Sequence, residues 1–322
     1  MIVAYRLEQS AHITLSDTMN PWNRREFLSL AGTAVLAQSV ITQSRAEDAP
    51  AAPLKVRKNV RKGIMWGTVG GDGTVAEKFQ TLKEVGFAGV EPNSHMNQDE
   101  VLKARDATGL ELPSVCCSTH WAKPLSHPSE KVREEGREGL KQALRDAKRY
   151  GSRSVLFVAG VVNESISYDD CYHRTQAEIR KVLPLAEELG VKIALENVWN
   201  NFLLSPMEAA RYVDEFQSPA VGWHFDVGNV INYGWPEQWI RILGKRIVTL
   251  HIKEFSREKA EKYGKGAGFN AEFLTGSNRW PKVMAALDEV GFDGWGIAEQ
   301  GGGESAKGLK KLSDEMNIIF GS

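Results

Sequence analysis

From Lys62 to the C-terminus, short apolar runs alternate with amphipathic stretches eight times, and no other feature of the chain restricts its fold so tightly. The runs fall at 63–69, 89–92, 112–118, 154–159, 192–198, 221–227, 247–255 and 294–299. Helical patterns follow each of them, at 75–85, 99–108, 129–150, 175–189, 206–216, 236–243, 280–290 and 305–320. Glycine stands where several of these helices should stop, at Gly86, Gly109, Gly151, Gly190 and Gly291. Eight consecutive β-α units of this length suit a closed (β/α)8 barrel of the α/β class better than an open doubly wound sheet. No Gly-x-Gly-x-x-Gly turn follows the first strand, which argues against a dinucleotide fold.

In such a barrel, chemistry collects at the C-terminal ends of the strands. The seventh run, IVTLHIKEF, shows why this matters. Side chains on a strand alternate between faces, so Val248, Leu250 and Ile252 share one face while Thr249, His251 and Lys253 share the other. The same division recurs in the fifth and sixth runs. Glu196 follows Leu195, and Asp226 lies between Phe225 and Val227. The eighth run ends in Glu299. Each polar group is thereby aimed into the barrel, where a charge is costly unless paired or bound to a metal. Three carboxylates and one imidazole from consecutive strand ends suit a divalent cation, Mn²⁺ or Mg²⁺ first, with Co²⁺ or Zn²⁺ also compatible. The alternative reading is a set of strand-end ion pairs involving Lys253 or Arg257.

Stretches 125–160 and 183–244, together with HIKEF, carry a resemblance to a known group. The segments LPLAEELGVKIALENVWNNFLLSP and FDVGN are its most specific part. The chain resembles the sugar phosphate isomerase/epimerase family of xylose isomerase-like TIM barrels, which includes L-xylulose-5-phosphate 3-epimerases and D-tagatose 3-epimerase relatives. The resemblance implies one divalent metal held by Glu196, Asp226, His251 and Glu299. It implies that Glu196 and Glu299 also move protons, taking one from the carbon beside a ketose carbonyl and returning one to the enediolate. Return to the opposite face gives a 3-epimer; transfer between adjacent carbons gives an aldose. A lyase or hydratase acting on keto-sugars would use the same site. Arg257 lies where relatives place a substrate-contacting arginine. Asn229 stands where many epimerase relatives have a histidine. The remaining candidates for contact with the sugar are His120, Lys253, Glu91, which could instead orient the ligands, and Trp66. His224 points inward but deeper, and reads as a core or supporting histidine. Gly301 to Gly303 could cradle a phosphate at a helix N-terminus or act as a hinge.

Composition narrows the other classes. A net charge of −1 gives no basic surface for nucleic acid. Seven histidines, one of them (His12) near the N-terminus, are too few and too scattered for the histidine-rich three-metal cluster of an apurinic-site endonuclease. Three cysteines, two adjacent, make no disulfide framework and read as small buried hydrophobes. The sequence leaves self-association into a homo-oligomer open.

The N-terminal segment has a different logic. Asn23-Arg24-Arg25-Glu26-Phe27-Leu28 precedes a short apolar run and then Ser44-Arg45-Ala46, a small-x-small cleavage pattern. This combination resembles a twin-arginine signal peptide, and implies export to the periplasm. The apolar run is too short and polar for a stable membrane span. The expected organisation is a leader at 1–46, whose true start is Met19, a linker at 47–61 and a barrel catalytic domain at 62–322. Since phosphorylated metabolites are scarce outside the cytoplasm, an unphosphorylated sugar or an oxidised sugar derivative is the expected substrate.

Overall fold

A computed structural model describes residues 59–322; the expected leader and nearly all of the linker lie outside the described residues. Eight parallel strands alternate with helices: β1 (Val60–Met65), β2 (Gly89–Glu91), β3 (Ser114–Cys116), β4 (Ser154–Phe157), β5 (Lys192–Glu196), β6 (Val221–Asp226), β7 (Ile247–Ile252) and β8 (Gly294–Ala298). Hydrogen-bonded ladders run in the order β2-β1-β8-β7-β6-β5-β4-β3. The remaining seam is closed by single bridges, Gly89 to Glu111 and Asn93 to Cys116. There Cys116 N donates to Pro92 O (2.9 Å) and Ser94 N donates to Cys116 O (2.8 Å). The fold is a nearly closed (β/α)8 barrel, as the alternation predicts.

The helices are α1 (Val75–Glu84), α2 (Gln98–Thr108), α3 (Glu130–Tyr150), α4 (Tyr168–Leu189), α5 (Pro206–Asp214), α6 (Pro236–Leu243), α7 (Arg257–Tyr263), α8 (Trp280–Glu289) and α9 (Ala306–Gly321). Local chemistry starts and stops them. Thr74 and Glu77 form a reciprocal capping box on α1, and Ser305 caps α9. All five glycines expected as stops have positive φ. Two starts and one whole helix depart furthest from the sequence reading. β1 begins at Val60, inside the expected linker, because Val60 pairs with Gly294 of β8. α4 starts at Tyr168, seven residues early, because Ser167 accepts from Asp170 N and two aspartates occupy the first turn. α7 is an additional helix. Its sequence, REKAEKY, has no apolar face and buries none of its residues, so periodicity gave no sign of it.

The core lies between barrel and helices. Leu195, Phe225, Leu250 and Ile252 point outward from their strands and are essentially fully buried against the helical layer. Each such side chain contributes roughly 1.5–3 kcal/mol by leaving water. Their neighbours on the opposite face are thereby committed to the barrel interior. Gly303 presses against Thr68, and its carbonyl accepts from Gly70 N (3.0 Å), so the glycine run after β8 is docked on the β1–α1 loop. Cys116, Cys117 and Cys171 are all buried.

Candidate metal centre

The strand register brings the four expected donors together. Asp226 and His251 are direct partners across β6 and β7, and Glu196 is level with His224 across β5 and β6. Glu299 immediately follows β8, where its N–H donates to Ile252 O (3.1 Å). One donor atom from each of Glu196, Asp226, His251 and Glu299 lies within 4.8 Å of all the others. His251 Nδ1 is 3.1 Å from Glu196 Oε1 and 2.9 Å from Glu299 Oε2.

The opposite ring nitrogen fixes the orientation of His251. Its Nε2 lies 3.0 Å from Glu91 Oε1. Glu91 is fully buried and also accepts from Ser114 Oγ. With the Nε2 proton donated to Glu91, the Nδ1 lone pair faces Glu196 and Glu299. Asp226 is held equally firmly. Its Oδ1 accepts from Asn229 N (2.7 Å), while Asn197 bonds both its backbone N–H (3.0 Å) and its carbonyl (2.7 Å). Lys253 Nζ reaches Glu299 Oε2 at 2.7 Å, Asp226 Oδ2 at 3.2 Å and Asn229 Oδ1 at 3.4 Å. Gly228 permits this packing, since a Cβ there would stand 2.7 Å from Lys253 O.

Charge is unevenly balanced here. Burial pushes Asp226 up to about 7, despite Lys253, and raises Glu196. Burial would raise Glu299 too, but Lys253 and His251 outweigh it and hold its carboxyl well below the usual range. His251 is raised because Glu91 and Glu299 overcome its own desolvation. Lys253 is raised in the same way by Asp226, Glu299 and Glu196. Even so, Asp226 Oδ2 and Glu299 Oε2 are buried and accept no hydrogen bond of good geometry, although Lys253 lies within ion-pair distance of both. Two orphaned carboxylate oxygens beside an imidazole nitrogen are the donor set a hard divalent cation takes.

Above these groups is a cavity of about 240 Å³, whose lining includes Glu196, Glu299, His251, Lys253, Asn229 and His120. His120 Nδ1 accepts from Val158 N (3.3 Å), which leaves Nε2 as a donor. Burial lowers His120 to about 4, so the ring is neutral at ordinary pH. Three of the expected sugar contacts are absent from the lining. Trp66 turns aside to pack on Phe79, ring centroids 5.8 Å apart, and Met65 lines the cavity in its place. Arg257 opens α7, where its Nε donates to Ile231 O (2.7 Å) and its Nη2 to Gly234 O (2.6 Å). Glu91 lies beneath the cavity against His251 Nε2, the ligand-orienting position that was its alternative role. His224 is deeper still, as its position two residues before Asp226 implies. It is fully buried, with its ring 4.2 Å from that of His251 and neither nitrogen hydrogen-bonded.

Sequence reasoning missed the aromatic part of the wall, Trp121, Trp199 and Phe269. Trp121 and Trp199 follow strands three and five closely enough to have been noticed. Phe269 comes from the segment after α7, which carried no signal.

Comparison with known proteins places these observations. A family model described as xylose isomerase-like TIM barrel matches residues 79–317. The L-ribulose-5-phosphate 3-epimerase UlaE of Escherichia coli is 24% identical over 192 residues, covering 55% of this chain and 68% of that protein. Among solved structures, the 3-keto-D-glucoside 4-epimerase YcjR from E. coli superposes with a TM-score of 0.69 at 17% identity, over 81% of this chain and 98% of that one. A D-tagatose 3-epimerase-like protein gives 0.68 at 19% identity, over 81% and 98%.

Proposed function

The chain belongs to the xylose isomerase-like TIM-barrel family, and from that premise we propose that it is a sugar epimerase or isomerase acting on a ketose through an enediolate, with one divalent metal. The observation that carries this reading is the convergence of Glu196, Asp226, His251 and Glu299, with two buried carboxylate oxygens left without hydrogen bonds. Curated relatives named as sugar 3-epimerases support it. A divalent cation at this centre, Mn²⁺ by preference for mixed oxygen and nitrogen donors, would polarise the substrate carbonyl and acidify the neighbouring C–H.

The chain's own residues do the rest. Glu196 and Glu299 flank His251 Nδ1 from strands five and eight, so they approach a bound ketose from different sides. One removes the proton beside the carbonyl; the other delivers a proton to the enediolate. Asp226 and His251 serve as ligands. Lys253 stays an ammonium among three carboxylates and offsets negative charge as the enediolate forms. His120 Nε2–H is positioned to donate to a sugar oxygen, while Asn229 lines the cavity with its amide spent on Asn197 O (2.9 Å) and Lys253 (3.4 Å). Trp121 and Phe269 exclude water from one side.

The test is a screen of ketoses in deuterated water with the Mn²⁺-loaded protein. Exchange at the carbon beside the carbonyl, accompanied by epimer or aldose, is expected; its absence across ketoses and keto-sugars sinks the reading. The leader carries a separate proposal, export by the twin-arginine route. Arg24→Lys with Arg25→Lys should strand the precursor in the cytoplasm, and unchanged export in a cell-fractionation assay would refute that route.

A further inference from the structure

Glu254 follows Lys253 in the chain but takes no part in lining the catalytic cavity. It is fully buried, and its carboxylate is met by N–H groups rather than by a cation. Oε1 accepts from Asn278 N (3.2 Å) and Phe255 N (3.3 Å), and Oε2 accepts from Leu274 N (2.9 Å) and Trp280 Nε1 (2.9 Å). A protonated carboxyl would turn a hydroxyl toward one of these donors, so the four N–H groups describe an ionised side chain. Burial raises the carboxyl, and the four N–H groups work against that.

Two of the donors, Leu274 and Asn278, belong to residues 264–279, the segment between α7 and α8, and Trp280 opens α8. The segment is shaped to seat on Glu254 and its neighbour. A Cβ on Gly276 would collide with Glu254 Oε1, and one on Gly268 would collide with the Phe255 ring. Leu274 is held at φ 67°, a region that non-glycine residues seldom occupy, and its N–H is one of the four that Glu254 accepts. Gln300 grips the same segment from the end of β8. Its Oε1 accepts from Glu254 N (2.8 Å) and its Nε2 donates to Ala271 O (2.8 Å).

What this segment carries reaches the cavity in two places. Phe269 forms part of the wall, with its ring centroid 4.8 Å from that of Trp199 and 5.0 Å from that of Phe255. Lys253 Nζ lies 5.1 Å from the Phe269 centroid, within reach of a cation–π contact. Asn278 then fixes the backbone of the same lysine. Its Nδ2 donates to Lys253 O (2.9 Å) and its Oδ1 accepts from Phe255 N (3.3 Å). Lys253 is the only lysine or arginine among the described residues that line the cavity. Both its ammonium and its carbonyl therefore meet the segment that Glu254 holds.

We propose that Glu254 is a positioning residue for turnover: its carboxylate fixes residues 264–279 and, through them, sets Phe269 and Lys253 in the catalytic cavity. The role in turnover rests on the isomerase reading above; the hold on the segment does not. The test uses the full, Mn²⁺-loaded chain. Glu254→Gln keeps the size of the side chain, but whichever way the amide turns, its NH2 faces two N–H donors and leaves them without an acceptor. Amides of residues 264–279 should then exchange with deuterated water about tenfold faster or more, the scale of a lost hydrogen bond to a charged group, while the rest of the barrel exchanges as before. Mass spectrometry of the peptides reads this. At saturating Mn²⁺, kcat on the ketose found by the screen above should fall about tenfold or more, and KM should change much less, because Lys253 acts on charge that exists only as the enediolate forms. Trp280→Phe removes one donor from outside the segment and should give both effects at smaller size, which keeps the test open if the glutamine variant does not fold. Unchanged kcat per folded molecule, even with faster exchange, overturns the proposal and leaves Glu254 a part of the fold alone. Exchange raised evenly over the whole barrel, or a rise in KM with kcat intact, overturns it as well. If the wild-type chain turns over no ketose, the isomerase reading falls by itself; faster exchange confined to the segment then still upholds the hold on the cavity wall, and its absence overturns it.

Discussion

Two groups of buried carboxylates in this molecule are treated in opposite ways. On the helical layer, Glu178 of α4 is nearly inaccessible and is met by Arg133 Nε at 2.9 Å, Lys181 Nζ at 2.9 Å and Arg137. Burial would raise its carboxyl, but these partners outweigh that and lower it. At the barrel mouth, Glu91, Glu196, Asp226 and Glu299 share one lysine and one histidine. Burial prevails there at Glu196 and Asp226, both of which are raised. Glu178 is surrounded by cations of its own chain. The mouth is short of positive charge, and that deficit invites a cation from solution.

The largest expected effect separates the two groups by function. Glu196→Gln and Glu299→Gln should each lower kcat by roughly 10²-fold or more, the scale of acid–base catalysis. Turnover is read by deuterium exchange, with bound metal checked by elemental analysis. Near-normal turnover in both variants with metal bound would mean that neither glutamate moves the proton.

Next in size is the reverse experiment. Glu178→Ala should cost about 2 kcal/mol of stability, because Arg133 and Arg137 lose their inner counter-charge and keep only the exposed Glu130. Denaturant unfolding measures this, and turnover per folded molecule should be unchanged. A loss of turnover without a loss of stability would erase the distinction between the two groups.

A smaller effect is expected one step behind the metal ligands. Glu91→Gln weakens the hold on His251 Nε2 and should reduce metal affinity by about 10–100-fold, the usual range for such supporting contacts. Unchanged affinity in a metal-buffered titration would show that strand packing alone orients the ring.

The smallest effect concerns pH. Burial holds His120 at about 4, below the ordinary 6.5, so the unfolded chain takes up a proton that the folded chain refuses. The associated stability is intact above the unfolded value and is lost as pH falls toward the folded one. Between pH 7.5 and 5.5 the loss amounts to about 1 kcal/mol. His120→Asn, which keeps an acceptor for Val158 N–H, should lose correspondingly less over that interval. Parallel pH curves for the two proteins would refute the assignment.

Much of this architecture follows from local rules that a linear chain carries openly. Alternation of side chains along a strand has a period of two, and helix stops require a positive φ that glycine supplies, so the eight units and their glycine ends were legible. The same alternation aimed Glu196, Asp226 and His251 inward, and a barrel necessarily brings its strand ends together. What escaped the sequence depended on how loops fold back over the mouth. Arg257 was expected to meet the sugar, but the first turn of an unforeseen helix delivers its guanidinium to Ile231 O and Gly234 O. Trp66, just past the end of β1, packs on a helix while Met65 lines the cavity. Glu91 shares the inward face of β2, and the sequence left it either to meet the sugar or to orient a ligand; the folded chain sets it against His251 Nε2. Strand periodicity is a property of neighbours in sequence. Loop packing is decided by partners outside the local stretch, 26 residues away for Arg257 and Ile231 and 160 for Glu91 and His251, and only the folded chain holds that information.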